Sequence, residues 1–345
     1  MSIIKGKNLF IMELSGEPYD RGHKYGEVCK NLIARMVEEQ FYQEFSGRLT
    51  KDEMLKRARK YVPFIQSYSP EIADELKGIA DGSGRLYDEI VMVNALEERD
   101  AFARCTSFAA TGKATKDGET YAGQSWDGME KEWWGGEFGL LFKVRRKNGP
   151  DILDYTNPGI LAGAGLNSKG ISVNWNTVQQ VKLTAGVPSY IIVAEVLKQK
   201  TIGEALDAVL RADRAGCFNL VITDDTELYA VEATPDDIDV SYSEYMGHAN
   251  HFVSDKFRLR QNVEYSGSIV RYNRMNRLLK ENYGEIDLQT CMGFLRDHVN
   301  YPSSICWHPG NGWMTLDSWV SIPSKREFWI VHGQPCENEF GKFGF

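Results

Sequence analysis

The sequence predicts an α+β protein whose strands and helices are segregated into layers, and three observations carry that reading. Residues 18–100 hold a helical period; after Arg104 the pattern becomes short alternating or apolar runs between turn residues; and helices then return only in pairs, without the strict alternation of a doubly wound parallel sheet. In the first stretch Val28, Leu32, Ile33, Met36, Val37 and Phe41 recur at helical spacing and place one apolar stripe on one face. Thr50 with Glu53 reads as a capping box opening a helix that runs toward Val62, where Pro63 ends or kinks it. Ser69 and Pro70 open another, stopped by Gly82 and Gly84, and residues 86–98 complete the helical block. Strands are expected over 105–111, 120–126, 138–145, 171–177, 218–223, 228–232 and 328–331. Helical pairs are expected at 189–200 with 202–213 and at 268–280 with 287–298, and no internal repeat is present.

The 345 residues, 42% hydrophobic and 26% charged with 12% aromatic, suit one large or two small folded domains and exclude a collagenous or disordered chain. Net charge is −8, spread along the chain with neither an acidic tail nor a basic stripe, which argues against a nucleic-acid partner. The N-terminal residues lack an apolar run of signal-peptide length, and no window approaches 18 uncharged apolar residues. A soluble cytoplasmic protein without a membrane partner is expected. Six cysteines are too sparse for a disulfide scaffold, and none forms a CxxC pair.

Common cofactor motifs fail. Gly163-Ala164-Gly165 begins a dinucleotide fingerprint but meets Ser168 where the third glycine belongs, and neither a phosphate-binding GxxxxGK[ST] nor an HExxH is present. Gly123-Gln124-Ser125-Trp126-Asp127 is one residue short of a nucleophile elbow and sits inside a strand pattern. His248 and His251 lack a third ligand nearby in sequence, so no metal and no organic cofactor is expected.

What remains is Cys105, at the junction where the helical segment stops and the strands begin. If its thiol attacks the Arg104 carbonyl, the peptide bond shifts to a thioester, and water then releases a new α-amino group on Cys105. Such an amine titrates near 7.7 to 8.0 in small peptides, so it can serve as general base for the thiol of its own residue. Asp127 is placed to hold and orient the ammonium form.

The chain resembles the isopenicillin N acyltransferase group of autoproteolytic N-terminal-nucleophile hydrolases, and more distantly bile-salt hydrolase, penicillin V acylase and acid ceramidase. The resemblance rests on seven stretches in order: Gly16 through Pro18, Tyr19, Gly22 and Gly26; Cys105-Thr106-Ser107 with Gln124-Ser125-Trp126-Asp127; Gly165-Leu166-Asn167 through Gly170 to Asn176; His248-Ala249-Asn250-His251-Phe252; Ser268 through Arg271 to Arg274; Ser304-Ile305-Cys306-Trp307-His308-Pro309; and His332-Gly333-Gln334-Pro335-Cys336. It implies a four-layer αββα sandwich with an N-terminal helical segment, in which residues 1–104 are cut from, but stay packed on, the catalytic part 105–345. It implies Cys105 as nucleophile, Asp127 as partner of the α-amine, Asn250 as side-chain oxyanion donor, Asn176 as backbone donor and Arg271 beside the thiol. The bond cut is Arg104–Cys105; the family's usual residue before the nucleophile is glycine, so Arg104 is a departure.

The implied activity is acyl transfer or amide hydrolysis through an S-acyl enzyme, on a small N-acyl amide, a peptide-like amide or an acyl-coenzyme A, with association into a homo-oligomer left open. Two other readings stand beside it: a conventional Cys–His hydrolase that leaves the chain intact, and a non-catalytic binding protein on the same fold. Residue by residue, Asp127 also fits a turn before Gly128, Asn250 and Asn176 fit loop or sheet-edge roles, and Arg271 shares helical spacing with Arg274 and Arg277 as on a solvated basic face. Cys306, His308, His332 and Cys336 read as structural. Trp126, Trp133 and Trp134 read as packing or as the lining of an acyl pocket.

Overall fold

A computed structural model of the chain describes residues 2–3, 9–44, 46–98, 104–130, 139–261 and 266–345. It opens with two strands, β1 (Ser2–Ile3) and β2 (Phe10–Gly16), followed by α1 (Pro18–Val28), α2 (Lys30–Val37), α3 (Lys51–Arg59), α4 (Val62–Tyr68), α5 (Pro70–Ser83) and α6 (Tyr87–Asn94). The expected all-helical first segment is therefore corrected: it also supplies two strands. The sequence hides β2 because only Met12 and Leu14 alternate inward, and the strand it joins lies more than a hundred residues away.

The expected long helix through Val28 and Phe41 is also broken. The backbone leaves helical space at Cys29 (φ −95°, ψ 13°), Val28 is half exposed, and the buried stripe runs through Cys29, Ile33, Met36, Val37 and Phe41 instead. The capping box at Thr50 and Glu53 forms with both hydrogen bonds, whereas Pro63 falls in the first turn of α4 rather than at a helix end.

Gly84 stops α5 in the left-handed conformation, but Gly82 stays inside it. Its role is steric. A Cβ at Gly22 or Gly26 of α1 would collide with the carbonyl of Glu75 or Ile79, and one at Gly78 or Gly82 of α5 with that of Tyr19 or His23. Four glycines thus let the two helices meet backbone to backbone, and buried Arg21 bridges them to Glu75 at 2.7 Å.

Then follow β3 (Arg104–Ala110), β4 (Tyr121–Met129), β5 (Leu140–Arg146), β6 (Ile152–Thr156), β7 (Ala164–Asn167), β8 (Ser172–Thr177), α7 (Ser189–Leu197), α8 (Ile202–Leu210), β9 (Phe218–Thr223) and β10 (Leu228–Ala233). The chain ends with β11 (Ile238–Tyr242), β12 (Tyr245–His248), α9 (Ser266–Glu281), α10 (Leu288–Leu295), β13 (Trp313–Ile322), β14 (Glu327–His332) and β15 (Gly341–Phe343). Each predicted strand and helical pair has a counterpart. The largest omission is β13, a central strand whose polar Asp317, Ser318 and Ser321 are all buried and so mask its alternation.

The strands form a nine-stranded sheet, β1-β2-β5-β6-β7-β8-β9-β10-β11, and a six-stranded sheet, β12-β3-β4-β13-β14-β15. Helices α1 to α8 bury their apolar faces on the outer side of the larger sheet, in a core containing Ile33, Leu76, Ile191, Phe142 and Trp175. On the smaller sheet α9 and α10 do the same through Met275, Leu279, Phe294, Phe108 and Val320. A third cluster with Cys105, Trp126, Leu153, Tyr155 and Trp319 fills the space between the sheets. The four layers are therefore α, β, β and α, the sandwich that the resemblance implies. Among the described residues no helix is long and apolar enough to cross a membrane.

The N-terminal segment is anchored inside this sandwich. Tyr25 Oη receives the Gly159 N–H at 2.6 Å, and the Asn94 amide donates to the Gly159 carbonyl and accepts from the Leu161 N–H, both at 2.8 Å. Ser189 N–H donates to Glu98 at 2.7 Å and Tyr190 to Glu97 at 3.1 Å, tying the segment's last described residues before β3 to the start of α7.

Candidate active site at the start of β3

Cys105 is the second residue of β3 and is fully buried. Antiparallel pairing sets it opposite Trp126 and sets Arg104 opposite Asp127. Because side chains alternate across a strand, Cys105 and Trp126 face the other sheet while Arg104 and Asp127 face the α9 side. The site therefore straddles the end of the smaller sheet.

Asn250 Oδ1 accepts the Cys105 backbone N–H at 2.9 Å and the Arg271 Nη2 hydrogen at 2.8 Å, while Asn250 Nδ2 donates to the Thr177 carbonyl at 3.0 Å. Arg271 Nη1 donates to the Cys105 carbonyl at 2.5 Å and to Thr106 Oγ1 at 2.7 Å. The nitrogen that is the prospective α-amine is thus held by one amide side chain, and the carbonyl of the following peptide bond, Cys105–Thr106, by one guanidinium. Arg271 is fully buried on α9, whereas Arg277 is exposed and Arg274 pairs with Asp297. The solvated-basic-face reading of Arg271 is corrected accordingly.

Asp127 is fully buried inside β4, not in a turn. Its Oδ1 accepts the Thr315 hydroxyl at 2.7 Å and its Oδ2 the Ser125 hydroxyl at 3.3 Å. Thr315 Oγ1 in turn receives the Trp307 N–H at 2.9 Å, which leaves its own hydrogen for Asp127. Burial pushes the Asp127 carboxyl up to about 7, against the pull of Arg271, Thr315, Ser125 and Arg104. Burial also pushes the Cys105 thiol up, reinforced by the negative charges of Asp127 and Glu97 and opposed by Arg271 and the Asp127 backbone N–H. In the uncut chain the thiol is protonated, and the nearby carboxyl titrates close to neutrality.

Arg104 lies with its guanidinium 3.7 Å over the Trp313 ring and 5.4 Å from that of Trp307. Asn176 stands one layer across with its side chain beside Ser107: its Oδ1 accepts the Ser107 hydroxyl at 2.5 Å and an Asn219 amide hydrogen at 3.1 Å. Trp126 is packed edge-on against both Tyr155 and Trp319. Trp133 and Trp134 lie outside the described residues.

Sequence reasoning missed the supports of the Asn250 loop. Glu232, reaching from β10, accepts from the N–H groups of Val253 and Ser254 and bonds His248 Nε2. Ser268 Oγ accepts the Asn250 N–H at 2.8 Å and bonds His251 Nδ1 at 2.7 Å. Burial lowers the His251 imidazole to about 4, so it is neutral near pH 7. His248 and His251 are therefore props of the loop and do not form a metal pair. Only the HANHF run and the serine of the α9 motif hinted at these contacts, since Glu232 looks like any strand carboxylate.

A four-layer αββα sandwich with a buried cysteine at the head of an inner strand gives this molecule the α+β fold of the N-terminal-nucleophile hydrolases. The chain belongs to the family described as acyl-coenzyme A:6-aminopenicillanic acid acyl-transferase, whose profile matches residues 151–337, more than half of its length. It is 26% identical over 308 residues to the acyl-coenzyme A:6-aminopenicillanic-acid-acyltransferase 40 kDa form of Emericella nidulans, covering 84% of this chain and 82% of that one. Among solved structures, a variant of conjugated bile acid hydrolase from Clostridium perfringens is 14% identical at a TM-score of 0.47, over 70% of this chain and 97% of its own. Penicillin V acylase from Agrobacterium tumefaciens is 12% identical at a TM-score of 0.45, over 66% and 83%. Family membership supports an enzyme of acyl transfer.

Proposed function

We propose that the chain is a self-processing cysteine acyltransferase or amidohydrolase that cuts itself between Arg104 and Cys105. The observation that carries the reading is the grip on Cys105: its backbone N–H on Asn250, its carbonyl on Arg271, and its thiol beside the Asp127 backbone N–H and within the field of that carboxyl.

In the first step the Cys105 sulfur bonds the Arg104 carbonyl carbon and the thiol proton passes to the carbonyl oxygen. The C–N bond then breaks, with the proton passing to nitrogen, and water hydrolyses the thioester to free the Arg104 carboxylate and the thiol. The new α-amine becomes the base of the mature site and Asp127 its counter-ion. In turnover Cys105 Sγ attacks an N-acyl amide or an acyl-coenzyme A thioester, the amine or thiol leaves with a proton, and water or an amine takes the acyl group. Asn250 Nδ2 retains a second hydrogen beyond the one on Thr177, and that hydrogen is the oxyanion donor. Asn176 lends its backbone N–H as the second oxyanion donor, while its side chain braces β3 through Ser107.

The cut does not release residues 1–104, because β2, Tyr25 and Asn94 belong to the same core as the rest. Cleavage yields fragments of about 12 and 27 kDa, in proportion to 104 and 241 of the 345 residues in 39.1 kDa. A denaturing gel with N-terminal sequencing tests this. A fragment beginning at Cys105 in the wild type and one full-length band from Cys105→Ala are expected, and two bands from that variant exclude self-cleavage. The Cys–His alternative predicts His-dependent turnover by an uncut chain; the ring contacts of His248 and His251 run to Glu232, Ala249 and Ser268 instead.

A further inference from the structure

Four side chains that the acyl-transfer reading leaves unused converge at one point. His298 follows α10, Cys306 and His308 flank Trp307 in the next loop, and Cys336 lies in the turn after β14; their ligand atoms all fall within 4.8 Å of one another. The contacts are Cys306 Sγ to Cys336 Sγ at 3.6 Å, His308 Nε2 to Cys336 Sγ at 3.1 Å and His298 Nε2 to His308 Nε2 at 3.0 Å. Tetrahedral zinc bonds of about 2.0 to 2.3 Å imply ligand–ligand edges of roughly 3.3 to 3.8 Å, close to these. The second nitrogen of His308, Nδ1, is 3.4 Å from Glu337 Oε1. A carboxylate there fixes which nitrogen is free to bind a metal and strengthens it as a ligand. Both cysteines are free thiols.

We infer that this cluster is a structural zinc site of two cysteine thiolates and two neutral histidines. Two thiolates balance the charge of one divalent ion, sulfur with imidazole favours zinc over the oxygen-seeking magnesium and calcium, and four protein ligands close the coordination sphere. Binding releases one proton from each thiol to solvent and forms two Zn–S and two Zn–N bonds. The sequence pattern gave no warning because the ligands come from three separate segments, at 298, 306–308 and 336, and none makes a CxxC or HxxxH pair.

The ion ties residues 298–308 to Cys336 and so braces Trp307. Trp307 bonds Thr315 in both directions, N–H to hydroxyl at 2.9 Å and carbonyl to N–H at 3.1 Å, and Thr315 holds Asp127. Its ring also lies beside Arg104. The metal is thus a positioning element for the candidate acid and for the residue before the scissile bond, without touching substrate.

The test is elemental analysis of the purified full-length protein after incubation with zinc and desalting. One zinc per chain is expected in the wild type and in Cys105→Ala, so failure of the nucleophile reading leaves this measurement intact. His298→Ala, at an exposed position, and Cys336→Ser are expected to fall below about a tenth of an equivalent. Cobalt in place of zinc should give the visible absorption of a tetrahedral sulfur–nitrogen site, and zinc should slow iodoacetamide alkylation of exposed Cys336 by at least about tenfold. Zinc-free wild type under these conditions, alkylation of Cys336 unchanged by zinc, or a freshly purified chain two hydrogens light from a Cys306–Cys336 disulfide overturns the proposal.

Discussion

The two faces of the nine-stranded sheet are built on opposite principles. On its outer face β8 presents Val173 and Trp175 to helices, in a core of Ile, Leu, Val and aromatic side chains. On its inner face the same strand presents Ser172, Asn174 and Asn176, each hydrogen-bonded toward the other sheet: Ser172 to Ser321, Asn174 to the Gly123 carbonyl and Trp319, Asn176 to Ser107. Gln124 adds a reciprocal pair, donating to the Trp175 carbonyl at 2.7 Å and accepting its N–H at 2.9 Å. Apolar packing is strong but tolerant of small shifts, whereas buried polar groups are costly unless paired and therefore fix geometry. The outer face holds the chain together, and the inner one fixes where Cys105 stands.

Substitutions on the two sides should separate these jobs. Largest is Cys105→Ala, expected to abolish cleavage and to lower turnover of an N-acyl amide or acyl thioester by roughly 10⁴-fold or more, with the thermal midpoint nearly kept. Asn250→Ala should cut kcat by about 10²- to 10³-fold, the usual cost of one oxyanion donor, with KM changed far less. An equal loss in KM alone would make Asn250 a binding residue. Across the sheet, Ile33→Ala should destabilise by about 2 to 5 kcal/mol in denaturant unfolding while leaving kcat per folded molecule unchanged.

A pH experiment tests the polar side more finely. In the uncut Cys105→Ala chain Asp127 has a carboxyl raised from 3.8 to about 7 by burial, so the folded state binds its proton more tightly than the unfolded state. That contribution to stability is complete below about pH 4 and is lost as pH rises through 7. Asp127→Asn in this background should therefore raise the thermal midpoint at pH 8 by a few degrees, and the gain should shrink toward zero near pH 4. A gain independent of pH would show that Asp127 titrates normally. Smallest is Val28→Ser, which should shift stability by less than about 0.5 kcal/mol because Val28 is half exposed past the break at Cys29; a core-sized loss would restore the long helix.

The cysteine at a helical-to-strand junction and the motif order were legible because they are local: a residue type, a texture change and a spacing. Capping at Thr50 and Glu53 was legible for the same reason. The inner strand β13 was not, since alternation is read from hydrophobicity and its inward residues are polar. Gly82 of α5 looked like a helix stop because nothing in one helix's sequence shows the backbone that lies against it. Asn250 and Arg271 came from resemblance alone, and their shared hold on Cys105 spans 145 and 166 positions of sequence.

By itself the sequence determined the segregated α+β architecture, the candidate nucleophile and the family pattern, because propensity, periodicity and residue chemistry are carried by neighbours in the chain. Tertiary structure decided which polar side chains face inward, that Arg271 is buried rather than solvated, that Asn176 bonds Ser107, and that two scattered cysteines and two histidines meet beside Trp307. Those outcomes depend on pairing and burial between distant segments, where desolvation and hydrogen-bond satisfaction set each group's role.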